Sequence, residues 1–140
     1  MARDTLSTLI RLAGTEVDEA RRVLQAFLAE EDQWRAALAD LAEEVERESA
    51  MAKTEPAYAA PFGLFMARAK ERREGMEARL RELKPKIDAA RDALAEAFAG
   101  QKRYEIAKQN LDAAAAREAA RREGLELDEQ GLNAYRRKGR

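Results

Sequence analysis

An all-α fold is what this sequence predicts: two long helices folded back as an antiparallel coiled-coil hairpin. Three observations predict it. Alanine, leucine, glutamate and arginine dominate the chain, with alanine alone occurring 31 times, and these residues lose little on entering a helix. β-Branched residues are few, which disfavours a sheet. Apolar residues recur every three and four positions along two separate arms, and a proline-marked stretch, "TEPAYAAPFG" at residues 54–63, lies between them.

The first arm is expected over about residues 4–53. Its apolar seam runs Leu6, Ile10, Ala13, Val17, Ala20, Leu24, Phe27, Glu31, Trp34, Leu38, Leu41, Val45, Glu48 and Ala52, and twelve of these fourteen are apolar. The 3.5-residue spacing makes a narrow stripe, as a coiled-coil seam requires, where a globular helix carries a wider one. Positions between are rich in Glu, Asp and Arg, the composition of a solvated face.

The tip, residues 54–61, ends one helix and starts the next. Pro56 disfavours helical geometry at Glu55. Pro61 suits the first turn of a new helix, where a missing N–H is no loss. A connection this short favours antiparallel neighbours over one long helix pairing with a second copy, so a monomer is expected. Folding about residue 57 pairs positions whose numbers sum to roughly 114, which sets Leu24 near Ala90, Trp34 near Leu80 and Leu6 near Lys108. At ~1.5 Å per residue, an arm of about 48 residues is roughly 70 Å long. Trp34 reads as core, shielded by the second arm.

The second arm is expected over about residues 62–122. Its seam runs Phe62, Met66, Ala69, Arg73, Met76, Leu80, Leu83, Ile87, Ala90, Leu94, Ala97, Gln101, Tyr104, Lys108, Leu111 and Ala115, thirteen of sixteen apolar. Pro85 lies inside this arm and frees the carbonyl of Arg81. The seam continues on both sides, so a kink is expected there and not a break. Beyond about residue 112 the second arm has nothing to pair with. Gly124 is expected to fray or end the helix. Residues 123–140 then overhang, either as a frayed end or as a second helical piece with Leu125, Leu132 and Tyr135 on one face.

Composition also excludes much chemistry. There is no cysteine and no histidine. Disulfides, thiolate nucleophiles, zinc sites built on those residues and imidazole acid–base catalysis are all removed. Ser7 and Ser49 have no histidine base, and no glycine-rich phosphate loop is present. The acidic run "LELDEQG" offers Glu126, Asp128 and Glu129 but lacks the glycine and final glutamate of a calcium loop. No catalytic, cofactor or metal site is expected, and the chain does not read as an enzyme. The opening "MARDTLSTLIRLAG" lacks the apolar run of a signal peptide, and no segment approaches the ~20 apolar residues of a membrane span. A cytoplasmic protein is expected. With 26 basic against 27 acidic residues, charge gives no push toward nucleic acid. The "RRKGR" end is a basic tip suited to phosphate or an acidic protein surface, or simply solvated.

These features together resemble the FliJ family, the stalk proteins of the bacterial flagellar export apparatus. "LSTLIRLAGTEVDEARRVL" is similar to that family's start, "FGLFMARAKERR" to the segment after its tip, and "LELDEQGLNAYRRK" to its end. The resemblance covers nearly the whole chain. It implies a non-catalytic shaft in the pore of the hexameric export ATPase, promoting its assembly and activity. It also implies a link to the export gate membrane protein, handling of export chaperones, and a cytoplasmic place at the inner membrane of the flagellar base. By resemblance, the ATPase-facing residues are Leu6, Leu9, Arg11, Glu16, Arg117, Arg121 and Arg122. The gate-facing residues are Phe65, Ala69, Arg72 and Met76, of which Ala69 and Met76 also fall on the seam. The stalk of a virulence-type secretion ATPase is the alternative, and a nucleic-acid-binding helical arm is a third reading.

Overall fold

The computed structural model describes residues 1–139 and is a two-helix chain without strands among them. Helix α1 spans Ala2–Thr54 and α2 spans Ala59–Lys138, with a 3₁₀ turn at Pro56–Tyr58 between them. The all-α hairpin expected from the sequence is what forms. Glu55, the residue before Pro56, is extended at φ −118° and ψ 100°, as a pre-proline residue prefers. Its N–H still donates to the Met51 carbonyl at 3.0 Å, closing α1. The Tyr58 N–H donates to the Glu55 carbonyl at 3.0 Å, so the reversal leaves few backbone groups without partners. Pro61 lies in the first turn of α2.

The chain divides into two compact units, Val17–Glu96 and Met1–Glu16 with Ala97–Arg140. Val17–Glu96 holds the tip and the antiparallel stretches on either side of it. Six residues with less than a tenth of their surface exposed form its core: Val17, Leu41, Ala69, Leu83, Ile87 and Ala90. All come from the two predicted seams. The 3.5-residue rule therefore reads most of this unit correctly, because each seam faces the other helix; Met66 and Arg73, expected on the seam, are exposed. Trp34 is half-buried, and its indole N–H donates to Glu30 Oε1 at 3.4 Å. It packs in the seam as expected, though with only partial shielding.

Met1–Glu16 with Ala97–Arg140 is built differently. Ala13 is its one core residue among those described. Arg3 pairs with Asp112 at 2.6 Å, and a Cβ on Gly14 would meet the Gln101 side chain at 3.2 Å. In Val17–Glu96, Arg72 pairs with Glu44 at 3.4 Å. These three pairs have numbers summing to 115, 115 and 116, within two of the register expected from the tip.

Two expectations for α2 need correction. Gly124 does not end the helix, which runs on through Gly124 and Gly131 to Lys138. No glycine adopts a positive φ, so no left-handed C-cap forms, and the leucines and glutamates around Gly124 carry the helix past it. The boundary near residue 122 and the separate overhanging piece at 123–140 give way to one continuous helix. The seam also departs from its expected course after Gln101. Half-buried positions run Gln101, Glu105, Lys108 and Asp112, while Tyr104, Leu111 and Ala115 are exposed. Two successive four-residue steps, Ala97 to Gln101 to Glu105, replace the alternating four and three, and the covered face rotates by one position. Helix α2 passes through Pro85 without interruption. Pro85 itself is exposed, between Leu83 and Ile87 on the buried side.

Candidate functional site

No described group of histidines, cysteines or carboxylates is arranged to hold a metal ion. Ser7 donates its hydroxyl to the Arg3 carbonyl of its own helix at 3.0 Å, the usual fate of a serine in a helix interior. What the molecule offers is surface, and it offers two kinds.

The first lies beside the tip, within Val17–Glu96. Rings of Tyr58 and Phe62 have centroids 6.3 Å apart, and those of Phe62 and Phe65 6.5 Å apart, both within the range of favourable aromatic pairs. The Tyr58 hydroxyl donates to the Glu48 carboxylate across the turn. That bond, with the desolvation and charge that accompany it, pushes the Tyr58 phenol above its ordinary value near 10. The aromatic cluster braces the turn from which Phe65 projects, half-buried. Further along, a groove of about 490 Å³ opens between α1 and α2, lined among others by Leu38, Leu41, Val45, Met66, Ala69 and Arg73. Its lining carries cations but no carboxylate. It can seat an apolar side chain; it has no acid–base pair.

Of the residues expected to face the export gate, Phe65 and Met76 are half-buried, Arg72 is exposed and Ala69 is 4% exposed. Arg72 is held by Glu44 of α1. Ala69 is packed against α1 and offers almost no surface of its own, which bears out its place on the seam. The α1 wall of the groove, Leu38, Leu41 and Val45, was read only as core in the sequence. The available signal was Arg73 on the seam: a charged residue there stays outside and leaves the packing open beside it.

The second surface belongs to Met1–Glu16 with Ala97–Arg140, and all seven residues expected to face the ATPase fall in this unit. Leu6 and Leu9 are half-buried; Arg11, Glu16, Arg117, Arg121 and Arg122 are exposed. They do not form one cluster. The Arg3–Asp112 and Gly14–Gln101 pairs set Leu6 to Glu16 opposite roughly residues 99–109 of α2. The three arginines lie beyond that stretch, on helix that α1 does not cover; at ~1.5 Å per residue, Arg121 is roughly 18 Å further along than the level of Leu6.

Two of the three arginines, Arg121 and Arg122, are organised by one carboxylate. Glu118 accepts from Arg121 Nη2 at 2.7 Å and Nε at 3.1 Å, and from Arg122 Nε at 3.2 Å. The Arg121 hydrogen bond holds the Glu118 carboxyl below its ordinary value against an opposing desolvation, with a lesser contribution from the Arg122 hydrogen bond. The same bond raises the Arg121 guanidinium. Along this stretch of α2, Tyr104, Ile106, Leu111, Leu125, Leu127, Leu132 and Tyr135 are each more than a third exposed.

Among the described residues, no helix is long and apolar enough to cross a membrane. Neither the curated proteins nor the solved structures contain a match to this chain. The family model described as the flagellar FliJ protein, however, matches residues 1–140. That match spans the whole chain, and the helical hairpin agrees with it: the chain belongs to the flagellar FliJ family.

Proposed function

We propose that this chain is the non-catalytic stalk of the flagellar export ATPase. Membership of the FliJ family makes it a component of the flagellar export apparatus, and the full-length family match carries that statement. The finer assignment is as follows. The end formed by Met1–Glu16 with Ala97–Arg140 engages the hexameric ATPase ring, promoting its assembly and activity. Leu6, Leu9, Arg11 and Glu16 serve one part of that surface, and Arg117, Arg121 and Arg122 the other. The tip side, with Phe65, Arg72 and Met76, engages the export gate membrane protein, and the chain handles export chaperones in the cytoplasm beside the inner membrane.

One observation supports this polarity more than any other. Among the described residues, ten of the fourteen exposed large apolar residues belong to Met1–Glu16 with Ala97–Arg140, and four of them, Leu125, Leu127, Leu132 and Tyr135, lie where helix α2 outruns its intramolecular partner. Charged contacts from the arginines would steer association and weaken with salt.

The test is an ATPase assay with and without this protein, using the full chain and charge-reversed variants. Reversal at Arg117, Arg121 and Arg122 should reduce stimulation while circular dichroism stays helical. Substituting Phe65 should spare stimulation and impair gate binding. Stimulation that survives the arginine reversals but is abolished at the tip would place the ring at the other end.

A further inference from the structure

The overhang of α2 carries a charge pattern that is complementary to itself when reversed. Its basic pair, Arg121 and Arg122, lies four and three residues before Leu125; its acidic pair, Asp128 and Glu129, lies three and four residues after it. Two such helices laid antiparallel and centred on Leu125 set Arg121 against Glu129 and Arg122 against Asp128, twice over. A two-fold interface demands this kind of self-complementarity. The wrong centre is penalised: shifting so that Leu125 meets Leu132 would set Arg121 against Arg136 and Asp128 against Glu129.

Two further observations point the same way. Leu125 and Leu132 are exposed and seven residues apart, which puts both on one face of the overhang. Leu125 and Leu132 lie where α1 has run out, and Arg121, Arg122, Asp128 and Glu129 stand within one turn of Leu125 on the same side of the helix. The helix from about residue 113 onward also has no tertiary support of its own. It contains Gly124 and Gly131, and a Cβ at either would meet nothing within 4 Å. Each interior glycine costs a helix about 1 kcal/mol relative to alanine, and isolated helices are marginal in water. A partner helix covering the leucines would offset that cost.

We infer that the α2 overhang pairs antiparallel with the overhang of a second copy of this chain, centred on Leu125 and held in register by Arg121–Glu129 and Arg122–Asp128 contacts. The hairpin seams remain satisfied within each chain, so the monomer expected from them holds for the hairpin and not for its extension. A guanidinium has five N–H donors. Arg121 and Arg122 can therefore keep Glu118 while reaching across. The pairing is weak, because it rests on exposed ion pairs and a thin apolar stripe, and it is sensitive to salt.

The experiment is sedimentation velocity on the full chain over a concentration series at low salt. The wild-type chain should show reversible dimerisation. Arg121→Glu with Arg122→Glu should weaken it about tenfold or more, since four attractive contacts become repulsive. Asp128→Arg with Glu129→Arg should do the same. Mixing these two reversed chains should restore dimers, because each then offers the other a complementary pattern. Leu125→Glu should weaken self-association without loss of hairpin helicity. A wild-type chain that stays monomeric throughout overturns the inference, as does association indifferent to the reversals or a mixture that fails to recover it. The readout is molecular mass, so its outcome is independent of whether the ATPase is stimulated.

Discussion

Val17–Glu96 and Met1–Glu16 with Ala97–Arg140 share one helical chemistry and nearly one register, yet they bury different things. In the first, the covered positions of α2 are Leu80, Leu83, Ile87, Ala90 and Leu94. In the second, Gln101, Glu105, Lys108 and Asp112 are covered beside the small Ala97, Gly100 and Ala107, with Tyr104 and Leu111 turned out. Burial of apolar surface is worth about 25 cal/mol per Å², and exposed ion pairs are worth little. The first unit is thus the anchor of the hairpin. The second leaves more of its large apolar side chains exposed.

The strongest way to break this comparison is to truncate the same residue type in both units. Leu83 is 3% exposed and Leu111 is 42% exposed. Leu83→Ala should cost about 2–4 kcal/mol in urea unfolding followed by circular dichroism, as buried leucines do. Leu111→Ala should cost under about 0.5 kcal/mol, as exposed substitutions do. Equal losses would mean that both seams are equally covered.

Glycines sharpen the comparison at smaller scale. Gly124→Ala and Gly131→Ala meet open space and should each gain roughly 0.5–1 kcal/mol of helix stability, seen as higher helical content on heating. Gly14→Ala should gain less, because its new methyl must push the Gln101 side chain aside from 3.2 Å.

The smallest effect is a titration at the tip. The Glu48 hydrogen bond raises the Tyr58 phenol, so the bonded, protonated form should persist to higher pH than in an ordinary tyrosine. The sign follows: any stability from this bond is fully present below the unfolded value near 10 and is lost as pH rises through the raised folded value. Tyrosinate absorbance should show Tyr58 ionising later than an ordinary tyrosine, and Glu48→Gln should reduce that delay.

The sequence made one unit far more legible than the other, for physical reasons. All fourteen seam positions of α1 are half-buried or buried, because a heptad stripe has one way to face a nearby helix. On α2 the same reading holds from Ala69 to Gln101, apart from the charged Arg73. It fails at Tyr104 and Leu111. There the apolar stripe and the covered stripe are different stripes, and a pattern of hydrophobicity shows only the first. Gly124 misled in a related way: a glycine ends a helix only when the chain turns left-handed there, and neighbours decide that. The arginine set on the overhang came from resemblance. Its organisation by Glu118 needed coordinates, although the three- and four-residue spacings to Arg121 and Arg122 were readable. The groove wall at Leu38, Leu41 and Val45 was identified as apolar but could not be told from closed core.

Hydrogen exchange on the full chain, with and without the export ATPase and at dilutions that suppress self-association, tests the proposed roles of the two units most directly. Amides around Leu83 to Leu94 should be the most protected and should not change when the ATPase is added. Those from about residue 113 to 138 should exchange fast in the free chain and slow markedly with the ATPase present. Overhang amides that ignore the ATPase while those around Phe65 slow would contradict the account.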